Sequence, residues 1–284
     1  MYQTCCKGEC MIAGTRKMVT VLVSIACLSV AGQAFAWTKT VNFDNGTNGA
    51  LANGAVGFDY AGSKTTISGD MAVSGAKSAK MAWTKGDPGW NLQHGEINFP
   101  APVKNGGEVW IRGYYYFANP WSFLSNNGDY SGIKIMRLAT DVGGWHSIFS
   151  VFSPNISASN EMEQVQIDTS APFIIGAWQS LEMYLKLSPT QGIFRIWQNG
   201  KLVFEDLNHK TITSSNGYVS MASVMSVWNN NVGQSQTQYV DEFVITTDRP
   251  AQVDSKGNPM IGPINGTSPA TLPPPTGLRI TATK

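Results

Sequence analysis

The segment Glu108–Phe117 alternates two kinds of side chain with a period of two residues, which is typical of a β-strand. On one face of this strand lie Trp110, Arg112, Tyr114 and Tyr116. Aromatic rings stack on the flat faces of sugars, and a guanidinium can hold a carboxylate with two parallel hydrogen bonds. The row therefore suits a groove for an anionic sugar chain. The structural alternative is an aromatic ladder beside a solvated arginine.

Two later alternating segments carry similar rows. One places Tyr184 and Lys186 on a shared face, and the other directs Arg195 and Trp197 outward. The second segment runs into an Asn-Gly pair at 199–200, the strongest hairpin signal in the chain. We expect all three rows to lie on one face of one sheet and to form the wall of a groove.

The elements that would position these rows are short strands. Alternating runs separated by Gly, Asn, Asp and Ser clusters recur from Trp37 to Asp248, and no helical periodicity is sustained. This pattern predicts one all-β domain over 37–248, an antiparallel β-sandwich. The remaining segment, 249–284, holds seven of the fourteen prolines and is predicted to be an extended linker or tail.

The first 36 residues have the features of an export signal. Arg16 and Lys17 are followed by the apolar run Met18–Ala31 and the small-x-small site Ala34-Phe-Ala36. A membrane anchor would need a longer apolar run. We therefore expect cleavage before Trp37 and a secreted or periplasmic protein with no membrane contact after cleavage.

Cysteine usage and charge narrow the function further. All four cysteines precede residue 37, so the predicted mature chain cannot use disulfides, zinc–thiolate sites or a cysteine nucleophile. Residues 37–284 hold 17 basic and 18 acidic side chains, a net charge of about −1. This balance argues against a nucleic-acid partner, and we expect a monomer that binds an anionic polysaccharide.

Five segments together resemble a known group of enzymes: Gly75–Lys80, Glu108–Tyr116, Gly176–Lys186, Gly192–Lys201 and Tyr239–Asp248. They are similar to the concanavalin-like polysaccharide lyases, the heparin lyase I-like and the alginate or glucuronan lyase-like jelly rolls. The resemblance implies two antiparallel sheets, with a concave sheet forming a glycan groove. Laminin-G-like and carbohydrate-binding domains share this fold, so a non-catalytic binding module is the alternative.

The resemblance also implies a reaction, the β-elimination of uronic-acid chains without a required cofactor. A tyrosine or histidine removes the C5 proton while another group neutralises the carboxylate. Tyr184 or His146 would be the base, and Arg112 or Gln166 would hold the carboxylate. His94 is a second imidazole candidate. The substrate-binding residues would be Trp110, Tyr114, Tyr116, Gln164, Lys186, Arg195 and Trp197.

Two departures from these families leave other enzymes open. Alginate lyases of this fold carry a Gln-x-His strand, whereas this chain has Gln166-Ile-Asp168. A retaining glycoside hydrolase on the same fold would need two close carboxylates. Glu161 and Glu163 would supply them if they shared one face of a strand, although an exposed edge strand is the favoured interpretation.

A structural calcium site is a further expectation. Asp44 ends the first predicted strand and Asp241 lies in the last, and the terminal strands of a jelly roll often pair. Carboxylate oxygens brought together in this way suit Ca²⁺. Capping of turns by the same aspartates is the alternative.

Overall fold

The computed structural model describes residues 36–264, apart from residues 90, 91, 131 and 228 and the side chains of 225–227. The predicted export signal therefore lies almost wholly outside the described residues. Within them, none of the helices is long and apolar enough to span a membrane.

The described chain forms two β-sheets. The eight-stranded sheet contains β1 (Thr38–Val41), β3 (Thr65–Ser68), β4 (Ser78–Trp83), β6 (Glu108–Phe117), β11 (Trp178–Lys186), β12 (Gly192–Gln198), β13 (Lys201–His209) and β15 (Gln236–Thr246). The seven-stranded sheet contains β2 (Tyr60–Ala61), β5 (Gly95–Lys104), β7 (Ile133–Thr140), β8 (Trp145–Ser150), β9 (Asn155–Asn160), β10 (Val165–Pro172) and β14 (Tyr218–Val227). A single 3₁₀ turn spans Gly54–Val56.

The spatial order of the strands interleaves distant parts of the chain. It is β13-β12-β11-β6-β15-β4-β3 in one sheet, with β1 also on β15, and β10-β9-β8-β7-β14-β5-β2 in the other. All of these pairs are antiparallel, and Thr38 of the first strand lies opposite Thr246 of the last. The predicted antiparallel β-sandwich is confirmed.

The core lies between the sheets because each strand turns every second side chain inward. In β6, Val109, Ile111 and Tyr115 belong to this core and are fully buried. Gly113 is required on the same face, since a Cβ there would lie 2.1 Å from the Phe243 ring. The side chains between these core positions face away from the sandwich, which makes each sheet's outer face a candidate binding surface.

One predicted strand is wrong. Residues Glu161–Ile167 do not form a single strand, because β9 ends at Asn160 and a turn precedes β10. Gln164 in this turn has a φ of 54°, a left-handed conformation that interrupts regular strand geometry. Glu161 and Glu163 therefore lie in a turn and do not share a strand face, as the hydrolase alternative required.

Candidate functional site

The outer face of the eight-stranded sheet carries the three rows that the sequence analysis assigned to a groove. The strand register places Tyr184 opposite both Trp110 and Arg195. Trp197 is two residues beyond Arg195 on β12, so it lies on the same face. The prediction that the three rows share one face is confirmed.

A C-terminal segment, residues 252–264, covers this face, and we call it the strap. The Trp110 indole donates a hydrogen bond to the Pro259 carbonyl at 3.0 Å, and the Trp197 indole donates to the Asp254 carboxylate at 2.9 Å. Trp110 is 1% exposed and Trp197 is 0% exposed. These rings cannot stack on sugars, so the prediction of an open groove at these positions is wrong. This part of the predicted linker is packed structure.

Arg112 and Tyr114 are also engaged by the chain itself. The Arg112 guanidinium donates to the carbonyls of Gly262 at 3.0 Å and Glu242 at 3.2 Å, and it lies 5.2 Å from the centre of the Tyr114 ring. The Tyr114 hydroxyl accepts a hydrogen bond from the Ile264 amide at 2.7 Å. Both side chains are buried, and the Gly262 carbonyl of the strap already accepts from the Arg112 guanidinium. The strap therefore stands where a substrate carboxylate would have to approach Arg112.

The candidate base Tyr184 lies under the strap as well. It is 3% exposed, and its ring centre lies 4.8 Å from that of Trp110. Its hydroxyl donates to the Glu108 carboxylate at 2.5 Å. Burial and this hydrogen bond hold the pKa of Tyr184 well above its usual range. A neutral, covered phenol does not act as a base, which contradicts the role expected for Tyr184.

The strap is fixed by a buried carboxylate. Both oxygens of Glu182 accept main-chain hydrogen bonds, from the amides of Ile261 at 2.7 Å and Gly262 at 2.9 Å. Burial raises the pKa of Glu182 to about 7, and the two amides and Arg112 oppose this shift. Side chains on the outer face of the eight-stranded sheet thus bind the main chain of the strap.

Three other predicted residues lie on this sheet. Tyr116 is half-buried and packs against Trp178, with ring centres 5.6 Å apart. Lys186 is exposed at the end of β11. Arg195 donates to the Glu205 carboxylate at 2.7 Å. All three lie on the outer face of the eight-stranded sheet, on the opposite side of the sandwich from the outer face of the seven-stranded sheet.

The imidazole of His146 lies in the sandwich core and does not reach either outer face. It is 0% exposed, its Nε2 is 2.9 Å from the Thr211 carbonyl oxygen, and its ring lies 5.5 Å from that of Phe194. Burial lowers the pKa of His146 to about 3. The expectation that His146 would meet substrate is therefore wrong.

This buried imidazole predicts a specific loss of stability in acid. The unfolded chain binds a proton at His146 below pH ~6.5, whereas the folded protein does not until pH ~3. The unfolding free energy contributed by this group is therefore fully present above pH ~6.5 and should fall by about 3 kcal/mol on lowering the pH to ~4. Urea unfolding at both pH values should show a smaller loss in His146→Gln than in the wild type. Equal losses would contradict the assignment.

The two aspartates proposed for calcium cap a turn. Asp44 accepts hydrogen bonds from the amides of Ala76 and Lys77, and Asp241 accepts one from the Val73 amide at 2.9 Å. Burial raises the pKa of Asp241 to about 7. Within the part of the chain that the structure describes, no cluster of three or more His, Cys, Asp or Glu could hold a metal ion. The calcium site stays a prediction, and the capping alternative accounts for the observed contacts.

The outer face of the seven-stranded sheet carries a polar row that crosses every strand. Residues in mutual register, which share a face, are Tyr60, Glu96, Ser223, Arg137, Ser147, Ser159 and Gln166. Six strand spacings of ~4.8 Å make this row about 29 Å long. Tyr60 at one end is 50% exposed, and Gln166 at the other end is also exposed. Between these ends Ser223, Arg137, Ser147 and Ser159 are buried. The row is long enough to follow several sugars of a polysaccharide chain.

A pair of cations lies near the middle of the row. The Arg137 guanidinium donates to the Glu161 carboxylate at 2.7 Å and stacks over the Trp145 ring at 4.0 Å. The Lys134 ammonium lies 3.3 Å from the same Glu161 oxygen. Burial and the neighbouring Arg137 charge lower the pKa of Lys134, and Glu161 opposes this effect. The two cations can thus hold a carboxylate at a partly desolvated position.

An imidazole lies across β14 from these cations. His94 precedes Gly95, which pairs with Val224 of β14, and Val224 pairs in turn with Met136 of β7. Two strand spacings separate the backbone of His94 from that of β7 by about 10 Å. The His94 side chain from one side and the Lys134 and Arg137 side chains from the other can therefore reach one sugar bound over β14.

His94 has the properties of a neutral base. Its ring contacts Tyr60, with centres 5.1 Å apart, and its Nε2 lies 3.7 Å from a Glu96 oxygen. Burial lowers the pKa of His94, and Glu96 opposes this effect. Its buried Nδ1 has no hydrogen-bond partner among the described residues. A neutral imidazole one strand away from a cation pair is suited to taking a proton from a sugar whose carboxylate the cations hold.

The remaining predicted residues lie at the edge of this sheet. Gln166 is on the outer face of β10, opposite Ser159, so it can contact a chain that follows the row. Gln164 lies in the turn before β10, and its amide donates to the Glu161 carbonyl. In place of the Gln-x-His histidine, Asp168 accepts hydrogen bonds from Ser153 and Ser157.

Lys134 and Arg137 could not be recognised from the sequence pattern, for a physical reason. They are three residues apart, so a regular strand would direct them to opposite faces. The register shifts between Lys134 and Met136, and both Ile135 and Met136 are buried in the core. This β-bulge reverses the phase of the strand and brings both cations to the outer face. Two consecutive apolar residues inside an alternating run are the signal that could have revealed it.

The class of protein follows from the sequence match to a known family. The family described as polysaccharide lyase matches residues 38–243, which include every strand of the sandwich except the last residues of β15. The chain belongs to the polysaccharide lyase family, as the resemblance implied, and the expectation of a polysaccharide lyase is confirmed. A comparison with curated proteins finds no match.

Solved structures of similar fold include two kinds of lyase. The endo-β-1,4-glucuronan lyase from the fungus Trichoderma reesei has a TM-score of 0.53 at 18% identity, over 71% of this chain and 96% of that one. Alginate lyase Aly36B has a TM-score of 0.54 at 15% identity, over 73% of this chain and 96% of that one. A mutant of Aly36B bound to an alginate trisaccharide gives 0.54 at 14% identity, over 75% and 98%. These likenesses establish the jelly-roll fold.

Proposed function

We propose that this protein is an exported lyase that cleaves a uronic-acid-containing polysaccharide by β-elimination on the outer face of the seven-stranded sheet. The observation that carries the proposal is the Lys134–Arg137 pair facing His94 across β14. Glucuronan and alginate are the substrates named for lyases of this fold, which supports a uronic-acid chain here. The signal-like residues 1–36 support export.

In the proposed reaction, Arg137 and Lys134 bind the uronate carboxylate, which makes the C5 proton more acidic. His94 removes that proton, and the electron pair left on C5 forms the C4–C5 double bond. The C4–oxygen bond breaks, and the leaving oxygen takes a proton from Tyr60, whose ring contacts His94. The products are an unsaturated uronate and a new chain end, and the step needs neither a cofactor nor a change of redox state.

We assign the removal of the C5 proton to His94 and not to Lys134, although burial lowers the pKa of both side chains. The Lys134 ammonium already contacts Glu161 and adjoins Arg137. A charged lysine at this point helps to bind a carboxylate, whereas a base must begin the reaction without its proton. His94 is the group that starts in the required state near neutral pH.

The test of the proposed function is the appearance of unsaturated ends, followed by ultraviolet absorbance with alginate and glucuronan. Arg137→Ala should lower kcat/KM by about 10²–10³-fold, because the charge that develops on the carboxylate loses its main partner. Arg195→Ala is the matched control, since that arginine pairs with Glu205 on the other sheet, and it should stay within about threefold of the wild type.

Two outcomes would reject parts of this proposal. A wild-type protein that binds these chains but yields no absorbance rise on any of them is a binding module and not a lyase. If Arg195→Ala loses activity while Arg137→Ala keeps it, the substrate lies on the eight-stranded sheet.

A further inference from the structure

A carboxylate lies between the two cations of the proposed site. Glu161 is the first residue after β9, and its amide donates to the Trp145 carbonyl at 3.0 Å. The same oxygen of its side chain contacts Arg137 at 2.7 Å and Lys134 at 3.3 Å. The Glu161 side chain is 29% exposed, compared with 6% for Arg137 and 16% for Lys134. The carboxylate thus adjoins the space that a bound sugar would occupy.

This arrangement fixes the charge of the site. Two adjacent cations with little solvent around them repel each other, and Arg137 accordingly lowers the pKa of Lys134. Glu161 offsets one of the two charges and leaves a net charge of +1 on the three groups. A sugar with one carboxylate neutralises that charge. A sugar that also carries a sulfate would place its second negative charge beside Glu161.

We propose that Glu161 is a specificity-determining residue. Because of its charge, the Lys134–Arg137 pair binds sugars with a single carboxylate in preference to sulfated uronic-acid sugars. This inference rests on the proposed function, because it concerns the same site. Glu161 acts through the two cations: it holds them in place and repels a second anion. Like charges a few ångströms apart at a partly desolvated site change affinity by about tenfold.

The experiment compares Glu161→Gln with Glu163→Gln. Both residues lie in the same turn, but Glu163 contacts the Asn160 amide and not the cations. Heparin is the sulfated probe, and alginate or glucuronan, whichever the wild type cleaves, is the unsulfated one. Binding is measured by calorimetry, which gives a result with or without turnover, and KM and kcat are measured separately.

Glu161→Gln should bind heparin about tenfold more tightly than the wild type, with an increased dependence on salt. Its kcat on the unsulfated chain should fall more than its KM changes, because the cations are less firmly held. Glu163→Gln and the conservative Glu161→Asp should both behave like the wild type. Unchanged heparin affinity in a folded Glu161→Gln protein would overturn the inference. Failure of the wild type to cleave any unsulfated uronate would instead overturn the proposed function.

Discussion

His94→Asn is expected to lower kcat by about 10²–10⁴-fold, the usual contribution of a general base, while affinity for the polysaccharide changes little. The imidazole lies across β14 from Lys134 and Arg137, and burial keeps it neutral. Asparagine keeps a polar side chain of similar reach but cannot accept the proton. Initial rates of ultraviolet absorbance and a separate binding titration distinguish loss of chemistry from loss of binding.

Tyr184→Phe provides the contrast. This tyrosine was the base expected from the sequence, but it lies beneath the strap with its hydroxyl on Glu108. Its replacement should keep more than about half of the wild-type kcat and reduce stability by about 1 kcal/mol for the lost hydrogen bond. If Tyr184→Phe is inactive and His94→Asn is active, the active site lies on the eight-stranded sheet and not on the seven-stranded sheet.

Removal of residues 250–284 should destabilise the protein by at least about 5 kcal/mol, which is close to the whole stability of many domains. The truncation uncovers Trp110, Trp197 and Tyr184, which are 1%, 0% and 3% exposed. It also leaves the buried Glu182 carboxylate without the two main-chain donors of the strap. Newly exposed aromatic rings and the loss of charge-assisted hydrogen bonds are each costly. Thermal unfolding should show an unfolded or aggregated product.

A truncation after Ile264 is the control, because it keeps every strap contact described above. Its melting temperature should stay within a few degrees of that of the full chain. If removal of 250–284 leaves a folded protein of equal stability, the strap is not part of the fold. The outer face of the eight-stranded sheet could then bind other chains.

A pair of glycines isolates the strap contact without truncation. Gly262 has a φ of +71°, and a Cβ there would lie 2.2 Å from the Gln252 side-chain oxygen. Gly257 has a φ of +85°, with nothing within 4 Å of such a Cβ. Both alanine variants carry the same backbone strain, but only Gly262→Ala also displaces the segment held by Glu182. We expect Gly262→Ala to cost about 2 kcal/mol more than Gly257→Ala.

The sequence predicts the strands well because their side chains alternate. Glu108–Phe117 and Gly192–Gln198 have the bounds expected from the pattern, and the aromatic and cationic rows do share one face. What covers that face could not be predicted. The strap is rich in proline and polar residues, which resembles a linker. Its contacts are mostly made by main-chain groups such as the amides of Ile261 and Gly262, and these carry no side-chain signal.

The candidate site was less accessible to sequence reasoning. His94 is separated from Lys134 and Arg137 by two strands of the sequence, and only the insertion of β14 between β5 and β7 brings them together. The bulge at Lys134–Met136 then decides which face the cations occupy. Strand phase also separates His146 from the site, because its position on β8 directs the imidazole into the core.

The most direct test of the proposed site is a crystal structure of His94→Asn bound to an oligomer of the uronic acid that the wild type cleaves. We expect a chain along the outer face of the seven-stranded sheet, with a carboxylate within hydrogen-bonding distance of Arg137 and with C5 facing position 94. A chain bound on the eight-stranded sheet in place of the strap would contradict it.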